Sequence, residues 1–121
     1  MKIYLRRLIW SIFNAFEGIK YGISQQNFFL MTLLAIGSIG FGFWLKISYF
    51  EWLLLIVIIG FILSLEMLNT VMETTLDFIE PNRSPKIKEI KDIIAGSVFI
   101  ACLTALVFGA IIFLPKIFAL I

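Results

Sequence analysis

Histidine is absent from this 121-residue chain, and cysteine occurs once, as Cys102. Those absences exclude an internal disulfide and the usual zinc sites, so any metal must be held by oxygen, which points to magnesium-type chemistry. Charge is scarce as well, with 15% charged residues against 61% hydrophobic ones. A water-soluble fold could not cover its surface with so few charges, so the sequence reads as a membrane protein. Ten Lys plus Arg against eight Asp plus Glu leave a formal charge of +2. That excess is too small and too dispersed for a nucleic-acid partner. No repeat, low-complexity tract or second domain interrupts the chain, which reads as a single domain over 1–121. Lys2, Arg6 and Arg7 precede a short apolar stretch, Leu8 to Phe13, but no small-x-small cleavage pattern follows, so a cleaved secretory signal is not expected.

What is present is three apolar stretches, each near the ~20 residues that cross a bilayer as a helix. The first runs from Phe28 to Leu45 and the second from Trp52 to about Leu76, with helical periodicity reaching Phe78. The third runs from Ile93 to Leu114 without a charge, and Pro115 and Lys116 are expected to close it. Lys2, Arg6, Arg7 and Lys20 before the first span, and Arg83, Lys86, Lys88 and Lys91 between the second and third, place both segments in the cytoplasm. The first loop holds only Lys46 and Glu51, flanked by Trp44, Tyr49 and Trp52 as interfacial anchors, and faces outward with the carboxy terminus. Ahead of the spans, Tyr4 to Gly22 reads as an amphipathic helix lying on the membrane. Leu5, Leu8, Ile9, Ile12, Phe16 and Ile19 share one face; Arg6, Arg7, Asn14, Glu17 and Lys20 share much of the other, interrupted by Trp10. The fold class is therefore all-α: a surface helix followed by three transmembrane helices.

Chemistry concentrates in the cytoplasmic half of the second span. Glu66, Asn69, Thr70, Glu73 and Asp77 fall within an arc of roughly 100° on a helix, with Leu68, Val71, Met72 and Ile79 opposite. An ionisable group in a span costs about 2.5–3.5 kcal/mol on insertion scales, so its retention needs a reason. The simplest is a structural ion pair of Glu73 or Asp77 with Lys91 or Arg83. Three carboxylates exceed what one lysine neutralises, however, and a bound cation or a shared proton accounts for the surplus. Oxygen ligands suit magnesium carrying nucleotide phosphates. Partial desolvation would make Glu66 a better general base toward a hydroxyl at the membrane surface.

At these residues the chain resembles the bacterial diacylglycerol kinase and undecaprenol kinase family of small three-span lipid kinases. The family pattern Glu-x-x-Asn-[Thr or Ser]-x-x-Glu-x-x-x-Asp appears as Glu66, Asn69, Thr70, Glu73 and Asp77, and a second motif as Lys91-Asp92-Ile93-Ile94-Ala95-Gly96. Ser11, Ala15, Gly18 and Ile19 fit its first helix, and Ile112 to Lys116 looks like its Gram-positive branch. The resemblance covers nearly the whole chain. It implies a homotrimeric bundle that uses ATP and Mg2+ to phosphorylate a lipid hydroxyl, of undecaprenol or diacylglycerol, at the cytoplasmic face of the cell membrane. It also implies Glu66 as general base, Glu73 as metal ligand, and Arg7, Asn69, Glu73, Lys91 and Asp92 as nucleotide-binding residues.

The chain departs from that family at one informative place. Most members carry a glutamate before the first span, which binds metal together with the equivalent of Glu73. Here the segment reads Ser24-Gln25-Gln26-Asn27-Phe28-Phe29, with Gln25 or Gln26 at the glutamate's position according to the anchor used. Trp10 and Phe29 replace a common lysine and an arginine, and Arg83-Ser84-Pro85 replaces a loop with His-Pro. The missing carboxylate motivates a rival reading, a family member without catalysis that serves in membrane assembly or lipid binding. A second rival, an ion or proton relay through the carboxylates, would have to cross an outer half that is apolar in every span. Cys102 reads as an inert core or lipid-facing residue, Gly18 and Gly22 as positions of packing or close lipid approach, and Gly37, Gly40 and Gly42 either as admitting a neighbour or as lipid-facing variation.

Overall fold

A computed structural model describes residues 2–82 and 84–121; Arg83, counted above among the cytoplasmic charges and as a pairing partner, lies outside them. Four helices follow one another: α1 (Lys2–Ile23), α2 (Gln26–Leu45), α3 (Tyr49–Ile79) and α4 (Pro85–Leu120). The last three are long and apolar enough to cross a membrane. At 1.5 Å per residue, α3 and α4 extend roughly 46 Å and 54 Å, well past the ~30 Å hydrocarbon layer. Their ends therefore reach into the interfaces. Counting from Tyr49, Glu66 lies roughly 26 Å along α3, at the far boundary of the apolar layer.

α4 runs past the expected 93–114 span at both ends. It begins at Pro85, ahead of Ile93, because proline at the first helical position gives up an N–H that has no partner there anyway. Ion pairs Lys86–Glu89 and Lys88–Asp92, three and four residues apart, then support the charged first turns. Nor does Pro115 close the helix, which continues to Leu120. Only the ladder bond to the Ile111 carbonyl is lost this close to the end. Ile112, 1% exposed, is packed against Ile47 and Leu55, and Lys116 Nζ reaches Glu51 Oε1 at 3.4 Å, which together hold the chain on its helical path.

The tightest packing lies at this end of the bundle. α2 stops at Lys46, in the left-handed region at φ 54°, and Ile47 N–H donates back to the Gly42 carbonyl at 3.2 Å. Ser48 starts α3 with a capping box, its hydroxyl accepting from Glu51 N–H while Glu51 Oε1 accepts from Ser48 N–H at 2.9 Å. Trp52 then folds over Gly42, where an added Cβ would stand 2.9 Å from the indole. Packing between α3 and α4 is the main contact of the bundle, and α2 lies against α3. α1 packs on α2 and has no buried residue; at its far end a Cβ added at Gly22 would meet Met67 of α3 at 3.5 Å. Large apolar side chains such as Leu34, Phe43, Val57 and Leu106 point outward, as they do in a lipid-facing bundle.

Candidate active site

The polar stripe of α3 divides into a buried upper part and an exposed lower part. Glu66 is 3% exposed and Asn69 7%, the two buried polar residues among those described. The side-chain amides of Asn69 and Asn27 face the Glu66 carboxyl, and Glu73 is its charged neighbour. Asn27 belongs to the first turn of α2, so the turn between α1 and α2 delivers an amide to a carboxyl on α3. Asn69 Oδ1 is fully buried and has no hydrogen-bond partner. Thr70 is spent locally, its hydroxyl donating to the Glu66 carbonyl at 3.0 Å, and Thr74 and Thr75 repeat the bond to Thr70 and Val71. Such bonds to the preceding turn bend a helix slightly and leave no free hydroxyl for chemistry.

Lower down, Glu73 is half-buried, and Asp77 accepts a hydrogen bond from Lys91 of α4. Lys88 Nζ donates to Asp92 Oδ2 at 2.7 Å. Of the four pairings open to the sequence, Asp77 with Lys91 is the one formed among the described residues. Asp77, Lys88, Lys91 and Asp92 line, with Asn82 and Ser84, a cavity of about 680 Å³ between the ends of α3 and α4. That volume lies within the range of small-molecule sites. From Asp77 the stripe leads past Glu73 to Glu66 over eleven residues of helix, roughly 16 Å.

Three expected site residues stand apart from this cluster. Arg7 is exposed in the second turn of α1, a helix without a buried residue. Gln25 is the N-cap of α2 without a side-chain capping bond, and Gln26 is that helix's first residue; both are exposed. Among the described residues, no group of three His, Cys, Asp or Glu is placed to hold a metal ion. What remains on this face of α3 is the Glu73 carboxylate and, four residues before it, the orphaned Asn69 amide oxygen. Magnesium commonly takes one or two carboxylates and completes its shell with phosphates and water, so these donors fit it as a nucleotide complex. Asn27 is the residue that sequence reasoning passed over. Its place in the polar segment of residues 24–27 that heads the first span was the available signal.

Comparison with known proteins gives two matches. The family model described as prokaryotic diacylglycerol kinase matches residues 13–113. The chain is also similar to the undecaprenol kinase of Bacillus subtilis (strain 168), with 34% identity over 113 residues that cover 93% of this chain and 92% of that protein.

Proposed function

The chain belongs to the prokaryotic diacylglycerol kinase family and is a lipid kinase, and from that premise we propose that it phosphorylates the hydroxyl of undecaprenol with MgATP at the cytoplasmic face of the cell membrane. The observation that carries the reading is Glu66, a carboxyl 3% exposed at the boundary of the apolar layer, on one stripe with Asn69 and Glu73. Glu66 receives the proton of the lipid hydroxyl as its oxygen attacks the terminal phosphorus. The amides of Asn69 and Asn27 lie beside that carboxyl. Lys91 and the neighbouring side chains of the cavity between α3 and α4 hold the nucleotide, with its phosphates directed along the stripe toward Glu66. Glu73 is the carboxylate that holds magnesium; when bound, the cation spreads the negative charge of the phosphates and so favours attack. Arg7 and the glutamines at positions 25 and 26 join the site in the assembled protein, for which we propose a homotrimer. The basic face of α1 and the Lys-rich start of α4 lie in the cytoplasm, with the carboxy terminus outside.

The acceptor is named from the relative's own designation, supported by the coverage of both chains. Purified protein in mixed micelles, given labelled ATP with undecaprenol or with diacylglycerol in separate reactions, tests it. Labelled undecaprenyl phosphate at a rate well above that of phosphatidate is the expected result. Preferential labelling of diacylglycerol would reassign the acceptor, and labelling of neither would contradict the kinase reading.

A further inference from the structure

We infer that Asn69 Oδ1 is a ligand of the cation that enters with the nucleotide, so that this chain holds its metal with one carboxylate, Glu73, and one amide oxygen. The inference rests on the nucleotide site proposed above and specifies its metal ligands. Asn69 is 7% exposed, and its Oδ1 is fully buried without a hydrogen-bond partner. A buried amide oxygen left unsatisfied costs about 1–3 kcal/mol, so a residue retained in this state points to a ligand. Turning the amide over would set its oxygen toward the neighbouring Glu66 carboxyl, the less favourable group to present there.

The groups that could satisfy this oxygen are few. Ionised phosphates and carboxylates carry no proton to give it, and the acceptor hydroxyl surrenders its only proton to Glu66. Lys91 is engaged by Asp77, eight residues and roughly 12 Å further along the helix. Unlike water or an N–H donor, a hard cation would be held by the neighbouring Glu73 carboxylate as well, and an Asn oxygen is an ordinary ligand for one. Glu73 follows Asn69 by four residues, on the same helical face. Since neither Gln25 nor Gln26 brings a carboxylate, this pair alone is too weak a trap for free metal. The cation therefore arrives as the nucleotide complex, and the protein binds it only in that form.

The test exchanges the donor for one with a spectroscopic signature. In a Cys102→Ala background, Asn69→Cys protein in micelles is titrated with Cd2+ in the presence and absence of a non-hydrolysable ATP analogue. Glu73→Cys serves as positive control and Val71→Cys, on the opposite face, as negative control. Thiolate-to-cadmium absorption in Asn69→Cys that requires the analogue is expected. Absorption in Glu73→Cys with none in Asn69→Cys would overturn the assignment of Asn69. Absorption in neither, with no binding of the analogue to the parent protein, would overturn the nucleotide site and this inference together. Asn69→Ala, which removes the oxygen without adding charge beside Glu66, provides a second measurement by electron paramagnetic resonance with the Mn2+ complex of the same analogue. It should weaken binding of that complex about tenfold, and unchanged affinity would contradict the ligand role.

Discussion

Lys91 of α4 donates a hydrogen bond to Asp77 of α3, closing one wall of the cavity between the two helix ends. The lysine side chain is 32% exposed and the aspartate 65%, so the pair contributes at most about 1 kcal/mol to stability. In the proposed nucleotide site its value would lie in holding an ammonium group toward the phosphates. Asp77→Asn should therefore raise the KM for MgATP several-fold with little change in thermal stability, while Lys91→Met lowers kcat/KM by about 100-fold. Steady-state kinetics alongside a melting curve separate the two effects.

The exposed pair Gln25 and Gln26 leads to a gain-of-function prediction. A carboxylate at the correct one of these positions adds a charged oxygen to the site that contains Glu73. Either Gln25→Glu or Gln26→Glu should lower the Mg2+ concentration for half-maximal activity by about tenfold. Magnesium titrations of the two variants also decide which glutamine occupies the position. If both variants match the parent protein, neither residue approaches the metal.

Gly42 is held without a side chain by its neighbours. An added Cβ would meet the Trp52 ring at 2.9 Å and Ile47 Cδ1 at 3.1 Å, and a fused ring in a packed layer cannot bend aside. Gly42→Ala should destabilise this end of the bundle by about 1–3 kcal/mol, the cost of overpacking. A lowered unfolding midpoint in detergent, partly recovered by adding Trp52→Leu, is the expected pattern. Recovery matters because it separates steric conflict from a change in helix propensity.

Thr70 stands inside the polar motif, yet its hydroxyl is used on the backbone of its own helix. Thr70→Val keeps the shape and removes only that bond. Turnover should stay within about threefold of the parent, since the catalytic groups lose no partner. A fall of two orders of magnitude would mean that the hydroxyl leaves the backbone to serve the reaction.

How far these features are legible in sequence depends on the distance between the residues involved. The three spans follow from uninterrupted apolar runs, and the Glu66, Asn69, Glu73 and Asp77 stripe follows from helical periodicity alone. The ends of α4 were less accessible: Pro85 and Pro115 are local signals for breaks, whereas tertiary packing of Ile112 and the Glu51–Lys116 pair carries the helix past the second proline. Pairing across helices was narrower still. Charge counting left Glu73 or Asp77 open as the partner of Lys91, and only the packing of α3 on α4 selects Asp77. The approach of Asn27 to Glu66 links residues 39 positions apart through a turn whose geometry no local pattern encodes.

The central claim is that the buried Glu66 carboxyl is the base of a lipid phosphotransfer reaction. Glu66→Gln keeps size and hydrogen-bonding capacity while removing the ability to take a proton, so it tests that claim most directly. The measurement is undecaprenol phosphorylation by parent and variant, with binding of a non-hydrolysable ATP analogue followed in the same preparations. The account predicts that turnover falls by about 10²–10⁴-fold while analogue binding is kept. Turnover close to that of the parent protein, with binding equally intact, would contradict it.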